Sequence, residues 1–123
     1  MSHPITVVRK GRIDRGLLRE LALQWFDGEM VKYVVDVKRR IVAAGGEMHA
    51  DAESVLLDDG SGQENLWGAN YYPGRGPADF LEYTSLINIS PRRGNRAMEI
   101  QDPALREAVR SITIERIGEG EGV

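Results

Sequence analysis

The sequence predicts an α+β domain: two N-terminal helices, an antiparallel three-stranded meander with a candidate fourth strand at the N-terminus, and a C-terminal helix. Three observations lead there. Apolar residues recur at helical spacing twice in the first third of the chain. Short β-branched and aromatic runs, separated by glycine-rich turns, occupy the middle. An Asp-Pro pair then precedes a last apolar stripe.

Taken in order, Ile5–Val8 (ITVV) is the candidate fourth strand, closed by Arg9, Lys10 and Gly11. Asp14 suits the N-cap of the first helix, whose buried side is Leu17, Leu18, Leu21, Ala22 and Trp25. Asp27-Gly28 ends it. A second helix is expected from Glu29 to Ala44, with Met30, Val34, Val37 and Ile41 as its stripe and Lys38, Arg39 and Arg40 matching the helix dipole. Gly45-Gly46 stops that helix.

The meander is expected as Ser54–Asp58, Leu66–Tyr72 and Leu81–Ile89, joined by loops rich in turn formers. Asp102-Pro103 opens the last helix, on which Leu105, Val109 and Ile112 form the apolar side. Helices covering one sheet face would leave the other face polar or free for self-association. Residues 118–123 (GEGEGV) look like a frayed end. The whole is one domain of 123 residues, with a core at about residues 12–117.

Composition narrows the function classes. The chain has no cysteine, which removes disulfides, cysteine nucleophiles and thiolate metal sites. A net charge of −3 supplies no global attraction for nucleic acid, which would need a local basic patch. No apolar run nears the roughly 20 residues of a membrane helix. The N-terminus lacks the apolar stretch of a secretory signal, so a cytoplasmic location and no membrane partner are expected.

The phrases Gly45–Asp51 (GGEMHAD), Leu56–Gly60 (LLDDG), Gln63–Gly68 (QENLWG), Ser85–Ile89 (SLINI) and Gly94-Asn95 are familiar together. They resemble a family of short prokaryotic proteins of unknown function. The resemblance implies a shared fold over most of the chain. It carries no assigned activity, so no catalytic residue follows from it.

Two constellations are candidates for chemistry. Glu47, His49, Asp51 and Glu53 alternate with Met48, Ala50 and Ala52. On an extended segment all four polar side chains would project to one side and could hold a divalent metal, or His49 could work as a base with Asp51 or Glu53. A helical turn there would break up the set. Arg92, Arg93 and Arg96 form the second group, a candidate grip for a phosphate or carboxylate.

Other features point away from known signatures. Asp58–Glu64 is acidic and glycine-rich, but lacks the calcium-loop order and the phosphate-loop ending. Trp25 and Trp67 suit core or interface positions. Asn70 and Asn88 interrupt expected strands, and Ser85 lacks a nucleophile-elbow context. The function expected from sequence is a non-catalytic binding or interaction module, with homodimerisation through exposed edges. The alternatives are a small metal-assisted hydrolase acting on an anionic substrate and an RNA or nucleotide binder using the Arg92–Arg96 loop.

Overall fold

The computed structural model of the chain describes residues 4–123. Its class is α+β, but one N-terminal helix stands in place of the predicted two, and a five-stranded antiparallel sheet in place of the predicted meander. The chain order is β1 (Thr6–Val8), α1 (Arg15–Phe26), β2 (Val31–Asp36), β3 (Ile41–Ala44), α2 (His49–Asp58), β4 (Leu66–Tyr71), β5 (Leu81–Glu82) and α3 (Pro103–Arg116). All strand pairings are antiparallel, in the spatial order β1-β3-β2-β4-β5. Since β3 and β4 both oppose β2, they run in the same direction, with α2 as the crossover between them.

The expected second helix is a β-hairpin. Val31, Val34, Val35, Ile41 and Val42 are buried on both faces of the sheet. A strand covered on both sides is an almost continuous apolar run, and such a run contains helical spacings by coincidence. The basic residues assigned to a helix end instead form the turn. Asp36 Oδ1 accepts from the backbone N–H groups of Lys38 and Arg39, both at 2.9 Å, and Arg40 takes the left-handed conformation.

Two further corrections concern the expected meander. Ser54–Asp58 is the second half of α2, not a strand. The run Leu81–Ile89 pairs as a strand only at Leu81–Glu82; Thr84 then bridges to Glu99, and Leu86–Asn88 is a 3-10 turn. Strands β1 and β4 match the expected positions of Ile5–Val8 and Leu66–Tyr72 closely.

The helices do not share one face. Helices α1 and α3 cover one side of the sheet, where Leu18, Leu21, Val109 and Ile112 pack on Tyr33, Val35, Val42 and Tyr71. Helix α2 covers the other, with Ala52 and Leu56 on Val34, Ile41, Ala43 and Leu66. The free edges are only three and two residues long, which limits edge-to-edge pairing.

Expected caps are present. The Asp14 carboxylate accepts from Leu17 N at 3.0 Å, Asp27 is the left-handed C-cap of α1, and Asp102 caps α3 ahead of Pro103. In the α1/α3 core, Thr113 donates to Val109 O at 2.7 Å, so the Tyr33 hydroxyl, 2.6 Å from Thr113 Oγ1, is the donor of that pair. Tyr33→Phe should lower stability by about 1 kcal/mol, read by chemical denaturation, because Thr113 keeps its own bond. An unchanged midpoint would contradict that assignment.

In the glycine-rich end, Gly118 and Gly120 are buried and residues 121–123 are exposed. Gly120 N donates to the Tyr71 hydroxyl at 2.9 Å, while Gly76 N donates to Gly120 O at 2.9 Å. A Cβ on Gly120 would sit 2.6 Å from Gly76 O and 2.7 Å from Phe80 Cβ, so only glycine lets the two loops approach this closely.

Candidate functional site

The turn after β3 directs the chain across the sheet, and α2 begins over β4. His49, Ala52 and Leu56 form the buried stripe of α2 at positions i, i+3 and i+7. His49 therefore faces the sheet. Its Nε2 lies 2.8 Å from Ala69 O. A carbonyl only accepts, so Nε2 carries the hydrogen and Nδ1 is an acceptor in the neutral ring. Burial lowers the His49 pKa from the ordinary 6.5, reinforced by Lys32 and opposed by the Ala69 bond, Asn70 and Glu82.

Strand β4 supplies the floor. Leu66, Gly68 and Asn70 share the α2 face, since alternate strand residues project to the same side. A Cβ on Gly68 would lie 2.6 Å from Ser85 Cβ and 3.2 Å from His49 Cδ2, so this glycine lets helix and loop close over the strand together. Asn70 Nδ2 donates to Glu82 Oε1 at 2.7 Å. That bond fixes the amide, because a carboxylate oxygen only accepts. The other end, Asn70 Oδ1, is buried against the His49 side chain, where it favours the protonated ring.

A third segment, Thr84–Met98, forms the opposite wall; Asn88 holds it to β4 and Asn95 braces the loop itself. Asn88 Oδ1 accepts from Gly68 N at 2.8 Å, while its Nδ2 donates to Gly68 O at 2.9 Å and Met98 O at 3.1 Å. The side-chain amide thus pairs with the β4 backbone where β5 no longer does. Asn95 Nδ2 donates to the carbonyls of Asn88, Ala97 and Glu99, and its Oδ1 accepts from Gln101 N. Ser85 is buried, and its Oγ accepts from Ile87 N as a local turn cap.

These parts enclose a cleft of about 290 Å³. Met48, Leu86, Ile87 and Met98 give it apolar walls, and Lys32, His49 and Asn70 supply its main polar groups. Ile87 separates it from a second, more polar cleft of about 390 Å³, lined by Gln63, Glu64, Ile89, Ser90, Arg92 and Arg93.

The predicted constellations fall differently. Because His49–Asp58 is helical, Glu47, His49, Asp51 and Glu53 do not line one side. His49 turns inward, Asp51 is exposed in the first turn, Glu47 is exposed before the helix, and Glu53 is half-buried with its charge felt by Arg93. Among the described residues, no group of three His, Cys, Asp or Glu side chains is disposed to hold a metal ion.

The arginines also separate. The Arg93 guanidinium lies 3.6 Å over the Trp67 ring and donates to Leu66 O at 2.8 Å and Ile87 O at 3.3 Å. Burial lowers its pKa, and the arginine works as a clamp between β4 and the loop. Arg92 and Arg96 are exposed, and only Arg92 joins Arg93 in lining the second cleft. In the acidic loop, Asp59 is held well below the usual carboxylate range by hydrogen bonds from Arg9 and Arg39.

A family model described as "Protein of unknown function (DUF5674)" matches residues 7–116, from within β1 to the last residue of α3. The chain belongs to the DUF5674 family. No curated protein and no solved structure matches it. The family match includes both clefts and every side chain that lines them, and stops before the glycine-rich end. Among the described residues, no helix is long and apolar enough to cross a membrane.

Sequence reasoning reached His49 and marked Asn70 and Asn88 as unusual strand residues. It missed Lys32, Met48, Glu82 and Met98 as neighbours. Lys32 was hidden by the helical reading of Glu29–Ala44. Within the first cleft the sign of the pH response follows from the lowered His49 pKa. As pH falls the unfolded chain takes up the proton first, so the stability tied to neutral His49 is present above about 6.5 and lost as pH falls through the folded value. Between about pH 7.5 and about pH 5.5 the parent should lose more unfolding free energy than His49→Gln. Equal losses would show that His49 is not held neutral.

Proposed function

We propose that this DUF5674 protein is a non-catalytic binding module whose ligand, a small molecule, occupies the cleft between the first turn of α2 and the Thr84–Met98 segment. One observation carries the reading. The cleft has apolar walls from Met48, Leu86, Ile87 and Met98 and only a few polar groups, chiefly Lys32, His49 and Asn70. Apolar walls with few convergent polar groups are the ordinary form of a small-molecule site.

The non-catalytic part is supported by how the side chains are spent. His49 Nε2 is bound to a backbone carbonyl, and Asp51 is on the exposed side of α2, away from the imidazole. Arg93, the most enclosed of the candidate anion-binding arginines, is occupied by carbonyls and an indole. Self-association in a cytoplasmic setting belongs to the same reading as a secondary expectation. The short strand edges direct it to the exposed Met48, Leu86 and Met98 around the cleft mouth.

A fragment screen by thermal shift on the parent and on Ala50→Trp tests this. Ala50 is exposed and lines the cleft, so an indole there fills the site without disturbing the core. Hits on the parent should vanish in Ala50→Trp. Hits that persist unchanged place binding elsewhere and reject the reading.

A further inference from the structure

The charges around the cleft mouth give its self-association an arrangement. Resting on that reading for the choice of face, we propose that a second copy of this chain seats here about a two-fold axis, the acidic α2 wall of each copy against the Arg92–Arg96 loop of the other. The centre of the face is apolar. Among the exposed large apolar side chains, Met48 and Leu57 belong to α2 and its N-cap, and Leu86, Ile89 and Met98 to the facing segment. The others lie on α1, across the sheet, and at the chain end. Leu57 follows Ala50 by seven residues and so shares the side of α2 that lines the cleft. Leu86, at 66%, is the most exposed of the five. Clustered exposure of this kind marks an interaction surface.

Charge identifies the partner. From Glu47 to Asp58 the chain carries four carboxylates and no lysine or arginine, while from Thr84 to Met98 it carries three arginines and no carboxylate. Glu53 and Arg93 attract each other within the chain, and Arg93 is further engaged by Trp67 and Leu66 O. Glu47, Asp51, Asp58, Arg92 and Arg96 are exposed and enter no salt bridge among the described residues. On other faces arginines are neutralised in place, Arg12 by Glu121 and Arg40 by Glu115. The cleft face therefore has acidic charge on one wall, basic charge on the other and apolar side chains between. A half-turn about an axis through that centre sets apolar on apolar and each acidic wall on the other copy's arginines. A polyanion would meet repulsion from the α2 wall, and a uniformly basic partner from the arginine loop. A second copy meets neither.

Sedimentation equilibrium on the full chain, from about 1 µM to about 1 mM, reads the assembly. The parent should pass from one chain to two, and its Met48 and Met98 methyl signals should shift with protein concentration while Met30 stays in place. The dimer should weaken between about 0.05 M and about 0.5 M salt, because exposed charge pairs are screened. These parent measurements stand even where a variant does not fold. Glu47→Lys with Asp51→Lys, and separately Arg92→Glu with Arg96→Glu, should each weaken the dimer at least about tenfold. Mixed together, those two variants should form a mixed dimer about as tight as the parent's, since each wall again meets its opposite charge. Leu86→Glu should remove the dimer of the parent and of the mixed pair alike. A parent that stays monomeric to about 1 mM overturns the proposal, and fragment hits lost in Ala50→Trp would then leave the cleft reading standing. A dimer indifferent to Leu86→Glu and to both charge reversals uses another face and overturns it as well. Weakened homodimers with no mixed dimer would overturn the two-fold pairing of the walls. A dimer that meets every expectation, with no fragment bound, supports the interface and rejects the cleft as a ligand site.

Discussion

Asn88→Ala should lower the unfolding free energy by about 3–4 kcal/mol, a fall in Tm on the order of 10–15 °C for a domain of this size. Asn88 is fully buried and pairs with both the N–H and the carbonyl of Gly68, as well as Met98 O. Alanine leaves that backbone unit unpaired, because β5 ends at Glu82 and does not reach it. Asn88→Asp discriminates pairing from packing. A carboxylate keeps the size but cannot donate to Gly68 O or Met98 O, so it should destabilise at least as much. A change in Tm below about 2 °C for either variant would mean that the Thr84–Met98 wall does not depend on this amide.

Gly68→Ala is expected to cost about 2–3 kcal/mol, near the top of the range for overpacking a closed core position. The new methyl would lie 2.6 Å from Ser85 Cβ and 2.7 Å from its Oγ, so Ser85→Ala cannot relieve it. It would also lie 3.2 Å from His49 Cδ2. The strain should therefore separate α2 from the loop and expose the imidazole. A second signature follows, because burial is the largest cause of the low His49 pKa. In Gly68→Ala that pKa should rise toward 6.5, observable by NMR titration. A destabilised variant with an unshifted His49 would show that the clash is absorbed by Ser85 alone.

Capping chemistry made the ends of α1 and the start of α3 legible, since Asp14, Asp27-Gly28 and Asp102-Pro103 act locally. What sequence hid was two-sided burial. In Val31–Ala44 the sheet is covered by α1 and α3 on one side and α2 on the other, which erases the alternation that distinguishes a strand. Ser54–Asp58 resembles a strand for another reason: only Leu56 of the α2 buried stripe lies within it, too little to show a helical period. Leu81–Ile89 alternates well but leaves the sheet after Glu82, where Asn88 side-chain pairing replaces strand pairing. No periodicity encodes that exchange.

The site was partly legible for related reasons. His49 stood out by residue type, and Asn70 because an amide is out of place among strand formers. Their meeting depends on α2 crossing from β3 to β4, and the Lys32–Asn70 pairing depends on the register of β2 against β4. Both are tertiary facts. Arg93 illustrates the converse: a basic loop suggests an anion site, while packing turns its most enclosed member into a clamp on Trp67.

The most direct test of the cleft as a ligand site uses methionine ε-methyl NMR. Met48 and Met98 line its mouth, whereas Met30 precedes β2 and lies outside the lining, serving as an internal control. With pooled fragments added to methyl-labelled protein, binders should shift Met48 and Met98 together and leave Met30 in place. A library whose binders move Met30 alone, or move neither cleft methionine, would contradict the assignment.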